Sequence, residues 1–181
     1  MDQQGRDGGR CADCGAPLPS GAATCRPYLD DLLAIEWQIP GGPGERAHFL
    51  AVSTFNLQHP APFGPEHLAG LRRNHAAILD EAMTFDGLRR FTRAGTDGAG
   101  RVLRRDVSGR RLELGAPRTP TDPVDPNWPR RWAISIADVL NATPADYADR
   151  VEAWAVATRA TLDRALDPAA APAHEQQRSR A

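Results

Sequence analysis

The sequence predicts a mainly α-helical protein: a small helical bundle built on an antiparallel helical hairpin, with an N-terminal zinc knuckle. Three observations predict it. Apolar residues recur at three- and four-residue spacing through several segments, the helical period. Pro/Gly runs such as Ile39-Pro40-Gly41-Gly42-Pro43-Gly44 separate those segments and stop them. All three cysteines, Cys11, Cys14 and Cys25, precede or open the first helix, and His48 and His59 follow on the second.

The 181 residues suit one domain, expected over 11–166. Residues 1–10 and 167–181 are rich in Gly, Arg, Ala and Pro and are expected to be disordered. Cys11-Ala12-Asp13-Cys14-Gly15-Ala16 reads as the knuckle. Two cysteines two residues apart can face one ion, and the following glycine allows the turn that brings amides toward the sulfurs.

The first helix is expected from Cys25 to Gln38, with Tyr28, Leu32 and Ile35 inward and Leu33 and Trp37 as further members of that face. A second should start near Glu45 and run to His59, ended by Pro60. Phe49, Val52, Phe55 and Asn56 line one side of it, and Leu50 and Leu57 widen the apolar face. Pro65 suits the first position of a third helix, Glu66 to about Ala82, burying Leu68, Leu71, His75, Ile78, Leu79 and Met83. A short fourth helix is expected over 85–94.

Around Ser108-Gly109 the segments 101–107 and 110–114 read as a small β-hairpin. Residues 116–131 carry five prolines and read as an extended linker pinned by Trp128 and Trp132. Ser135 caps a short helix over Ile136–Leu140. Thr143-Pro144 starts the last helix as N-cap and first position. Along it Tyr147, Val151, Trp154, Ala155, Thr158 and Leu162 form one apolar face.

Composition excludes several functions. The net charge is −1, so no global basic excess draws the chain to nucleic acid or an anionic membrane. All 22 basic residues are arginine, which removes Schiff-base catalysis and a P-loop lysine. No long apolar run predicts a membrane span, and the N-terminus shows no signal-peptide pattern. The expected compartment is the cytoplasm, where thiols stay reduced and three cysteines read as metal ligands before disulfides.

A tetrahedral structural zinc takes four ligands, and the cysteines supply three. His48 and His59 are the candidates for the fourth. Eleven residues of helix span roughly 16 Å, so both cannot bind one ion. A short turn between the first two helices makes them antiparallel, which sets the start of the first beside the end of the second. His59 then joins Cys25, and His48 falls at the other end near Glu36. The expected ligands are Cys11, Cys14, Cys25 and His59.

Cys11-Ala12-Asp13-Cys14-Gly15-Ala16, Leu33-Ala34-Ile35-Glu36-Trp37, His48-Phe49 and Asn56-Leu57-Gln58-His59-Pro60 resemble the DUF5946 family of uncharacterised bacterial proteins. Ile136-Ala137-Asp138-Val139-Leu140 and Arg150-Val151-Glu152-Ala153-Trp154-Ala155 resemble it too, so the likeness covers about residues 11–166. The resemblance implies a metal-binding motif in a mostly helical domain and brings no reaction or substrate.

Three functions remain open. The first is a structural Cys3His zinc bracing a domain that binds a protein or small molecule, as monomer or homodimer. The second is a metal-containing enzyme using Glu36 and His48 as a carboxylate–imidazole pair. The third is a nucleic-acid-binding regulator acting through Arg104, Arg105, Arg110 and Arg111 in the arginine-rich segment 101–118; the neutral total charge and the lack of a His-x-x-x-His pair weigh against it.

Overall fold

In the computed structural model the described residues are 9–81, 87, 104–105, 111–112 and 125–167. The elements are α1 (Arg26–Glu36), α2 (Gly44–Gln58), α3 (Pro65–Leu79), β1 (Arg104–Arg105), β2 (Arg111–Leu112), α4 (Ile136–Val139) and α5 (Tyr147–Leu166). The fold is a helical bundle. β1 and β2 pair antiparallel, Arg104 with Leu112 and Arg105 with Arg111, and that ladder is all that is described of the expected hairpin. The expected helix over 85–94 lies, apart from Gly87, outside the described residues.

Cys25 caps α1, and Pro27 sits in its first turn, where a missing N–H costs nothing. The helix stops because Gly41, Gly42 and Gly44 adopt φ near +80°, conformations that turn the chain back. α2 then runs antiparallel to α1. Both ends of the pair show it: Cys25 meets His59 at one end, and Glu36 meets His48 at the other.

α2 is the centre of the bundle, packed against α1, α3 and α5. Its innermost stripe is Ala47, Leu50, Ala51, Thr54, Phe55 and Gln58, at helical spacing. This corrects part of the expected face. Leu50, Phe55 and Leu57 are buried as expected, Phe49, Val52 and Asn56 are only half-buried, and small or polar residues such as Ala47, Ala51, Ser53 and Thr54 complete the buried side. Gln58 donates from Nε2 to the Ile134 carbonyl and to Thr158 Oγ1, each at 2.8 Å. Thr54 Oγ1 and His75 Nε2 lie 3.0 Å apart.

α3 starts at Pro65 as expected and ends at Leu79, before the expected Ala82. Asp80 caps it, and Glu81 at φ +53° takes the chain out of the helix. Leu68, His75 and Ile78 are buried, Leu71 and Leu79 half-buried; Met83 lies outside the described residues.

Ser135 caps α4 with its N–H and O–H both donating to Asp138 Oδ2 at 2.8 Å. α5 begins later than the sequence suggested. Thr143 donates its N–H and O–H to Asp146 Oδ1, and residues 143–146 form a tight turn rather than helix. Asp146 is the N-cap, and its carboxylate also takes Arg150 Nε. The buried face of α5 is Tyr147, Val151, Trp154, Ala155, Thr158 and Leu162, residue for residue the face expected.

Two adjoining apolar clusters form the core. One joins Leu29, Leu32, Leu50, Phe55, Ile136, Val151 and Trp154; the other joins Leu57, Leu68, Trp128 and Leu162. Trp132 packs on both. The end of the expected linker is docked, because Trp128 is buried and donates from Nε1 to the Leu57 carbonyl at 2.9 Å. Residues 116–124 lie outside the described residues. Each large core side chain contributes about 1.5–3 kcal/mol by leaving water. Surface ion pairs add less: Arg46 grips Glu152 through both terminal nitrogens, at 2.6 and 3.1 Å, tying α2 to α5. No helix among the described residues is long and apolar enough to cross a membrane.

His75 makes stability depend on pH. It is 1% exposed, and burial, helped by Arg159, pushes its pKa down to about 4 from 6.5. The folded chain holds it neutral, while the unfolded chain protonates it below 6.5. Its contribution is therefore full above pH 6.5 and is lost as pH falls toward 4, by up to about 3 kcal/mol. His75→Gln keeps a group that can bond Thr54 and should flatten that part of the profile. Urea midpoints for both proteins from pH 7 to 4.5 provide the check, and parallel profiles would refute it.

Candidate metal centre

The knuckle is a tight antiparallel turn. Arg10 bridges to Pro17, Leu18 N donates to Gly9 O at 2.8 Å, and Cys11 N to Ala16 O at 2.9 Å. Gly15 sits at φ +75°, which lets the chain reverse directly behind Cys14. The Ala16 amide then approaches the Cys14 sulfur. Two further bonds hold the turn: within it Arg10 Nη1 donates to Gly15 O at 2.8 Å, and from outside Trp132 Nε1 donates to Asp13 O at 3.2 Å.

Against this turn stand two side chains from the hairpin. Cys25 enters from the N-cap of α1 and His59 from the C-cap of α2. One ligand atom from each of Cys11, Cys14, Cys25 and His59 lies within 4.8 Å of the other three. The Cys14 and Cys25 sulfurs are 3.6 Å apart. A tetrahedral ion with ~2.3 Å bonds to sulfur needs sulfurs ~3.8 Å apart. The cluster has the size of a metal site.

The histidine supplies an independent test. His59 Nδ1 lies 2.8 Å from the Phe55 carbonyl, which only accepts, so Nδ1 carries the proton. The lone pair is therefore on Nε2, and that atom is buried without a hydrogen-bond partner. A buried orphan acceptor costs about 1–3 kcal/mol, and a metal ion removes the cost. The ring stacks on Phe55 at 4.0 Å between centroids, fixing its plane. Burial lowers its pKa, which keeps the imidazole neutral as a ligand must be.

The sulfurs carry the same message. Burial, and the Cys11 charge after it, pushes the Cys14 thiol up to about 11. Burial and the neighbouring sulfurs push Cys25 further up. Three thiolates here need a cation, and loading one releases protons. Four donors of this type, one partly exposed and three buried, can hold a metal ion.

At the far end of the hairpin, Glu36 and His48 also meet. His48 Nδ1 lies 2.8 Å from Glu36 Oε2, and Tyr147 donates its hydroxyl to Glu36 Oε1 at 2.5 Å. Burial and the Glu36 bond raise the pKa of Tyr147. Sequence reasoning placed Tyr147 in the core but missed this bond, which spans 111 positions and has no local signal. The His48 side chain is 48% exposed and Trp37 90% exposed, whereas the Glu36 carboxylate is only 13% exposed and Tyr147 is fully buried. Sequence reasoning also missed Trp132 and the Phe55 carbonyl as supports of the metal cluster. For Arg104, Arg105 and Arg111 the structure gives only backbone pairing, and Arg110 lies outside the described residues.

Fold and site together define a helical-hairpin bundle with a four-donor Cys3His cluster able to hold a metal ion at the base of the hairpin. Residues 9–163 match the model of the family of unknown function DUF5946, and the chain belongs to that family. No curated protein and no solved structure matches it.

Tyr147→Phe removes one donor from Glu36 and leaves the metal cluster untouched. It should cost about 1–2 kcal/mol in urea unfolding with metal content unchanged. Metal loss in this variant would contradict the separation of the two ends.

Proposed function

We propose that Cys11, Cys14, Cys25 and His59 hold one zinc ion whose role is structural, in a cytoplasmic protein whose helical domain binds a protein or small-molecule partner. The observation that carries the metal reading is the buried, unpartnered Nε2 of His59, held in the ligating tautomer and set among three sulfurs. Three thiolates with one imidazole favour zinc over harder cations. They also saturate a tetrahedral ion and weaken it as a Lewis acid, which favours bracing over catalysis.

The structural role follows from what the ion would join. The knuckle contributes Cys14 and Ala16 to the core and little else. Its attachments beyond them are single bonds such as Trp132 to Asp13. An ion shared by the knuckle, α1 and α2 ties a segment that cannot bury much apolar surface by itself.

The Glu36–His48 pair supports an enzyme less well. A carboxylate orienting an imidazole is a general-base geometry, but here the imidazole is half-exposed and the carboxylate spends its second oxygen on Tyr147. We read it as a clasp beside the turn that joins α1 to α2.

Metal analysis of the purified chain should give one zinc per chain. His59→Ala and Cys14→Ser should lose most of it, while His48→Ala should keep it. A strong chelator should lower the melting temperature of the wild type and leave His59→Ala nearly unmoved. Absence of metal from the wild type, or equal loss in the two histidine variants, would overturn the reading.

A further inference from the structure

We propose that Cys11 is a reactive sulfur, the point at which a hydroperoxide attacks the loaded centre, and that its oxidation expels the metal. The inference rests on the metal reading above.

The donors are unequal in exposure. Cys25 is fully buried, Cys14 is 3% exposed and His59 8%, whereas Cys11 is partly exposed at the mouth of the knuckle. A bound cation keeps sulfur as thiolate, the nucleophilic form. Cys11 is therefore the one cysteine of the loaded centre with surface left to solvent, and the other two are shielded. The shielded sulfurs are within 4.8 Å of the exposed one, close enough to resolve an oxidised Cys11 with little movement of the chain.

The chemistry balances without a further reagent. The Cys11 thiolate attacks the terminal oxygen of the hydroperoxide. An S–O bond forms, the O–O bond breaks, and the electron pair leaves on an alkoxide, or on hydroxide from hydrogen peroxide. Cys11 becomes a sulfenic acid. The thiolate of Cys14 or Cys25 then attacks the Cys11 sulfur, an S–S bond forms and hydroxide departs, taking a proton from solvent. Two electrons have passed from two sulfurs to the peroxide. The ion keeps one thiolate and one imidazole, too few to hold it. Cys25 as the second sulfur would leave the knuckle tied covalently to α1; Cys14 would close the Cys-x-x-Cys turn upon itself.

The test uses the zinc-loaded full chain and hydrogen peroxide, with a chromophoric chelator reporting free zinc. Zinc should appear together with a loss of two mass units per chain, and a thiol reductant with added zinc should restore the start. Cys11→His keeps four donors but removes the exposed thiolate, and should slow release about tenfold or more. A sulfenic-acid-trapping dione added with peroxide to the wild type should label Cys11 first, which tests the site even where the variant fails to load. Release from Cys11→His at the wild-type rate, first labelling at Cys14 or Cys25, or zinc held until the sulfurs reach sulfinic acid would each overturn the proposal. Wild type purified without zinc sinks both readings before peroxide is added, so the two failures are told apart.

Discussion

Everything in this fold depends on α1 and α2 lying antiparallel and being fastened at both ends. A two-helix hairpin in water is a weak object, since each helix exposes most of its surface and helices of this length are marginal alone. Here the Pro/Gly turn sets direction. Glu36, His48 and Tyr147 then close one end with short polar bonds, and Cys25 and His59 approach at the other. With direction and ends fixed, α5 lies across α2 and α3, with its Tyr147–Leu162 face inward.

The two ends rest on different physics. The Glu36 end is mixed: His48 reaches water, so its bond works partly in high dielectric, while Glu36 and Tyr147 meet inside. The base is dry, with Cys25 and Leu32 fully buried and polar atoms that have few partners of their own. Burying bare thiols and an acceptor nitrogen there is unfavourable unless something satisfies them all at once. One cation does so, which is why the donor set and the burial are parts of one argument.

Much of this was legible in the sequence, and the reasons are specific. The α5 face was readable because large apolar residues and Thr158 keep strict helical spacing over twenty residues. The Cys25–His59 pairing was readable because helix length and a short turn leave one arrangement. The inner face of α2 was readable only in part: Leu50, Phe55 and Leu57 announced it, but Ala47, Ala51, Thr54 and Gln58 carry little hydrophobic signal, and their burial is set by neighbours far along the chain. The start of α5 was misjudged for a related reason. Thr143-Pro144 has the composition of a cap, but Asp146 takes both Thr143 donors and makes a turn first. Trp132 reaches the knuckle across 119 positions, a contact that no local pattern announces.

Gln58 and His59 are consecutive residues pointing into different worlds. One donates to Thr158 and Ile134 inside the bundle; the other aims its free nitrogen at the three sulfurs. Gln58 is the last helical residue, and His59 leaves the helix as its C-cap but stays tethered to it through the Asn56 and Phe55 carbonyls. The two residues therefore act as a pair of spokes on one axle, each stopped by a different wall. α2 cannot roll toward a better fit at either wall without leaving the other. The setting of the central helix, and with it the seating of α3 and α5, shares a single rotational coordinate with the geometry of the metal centre.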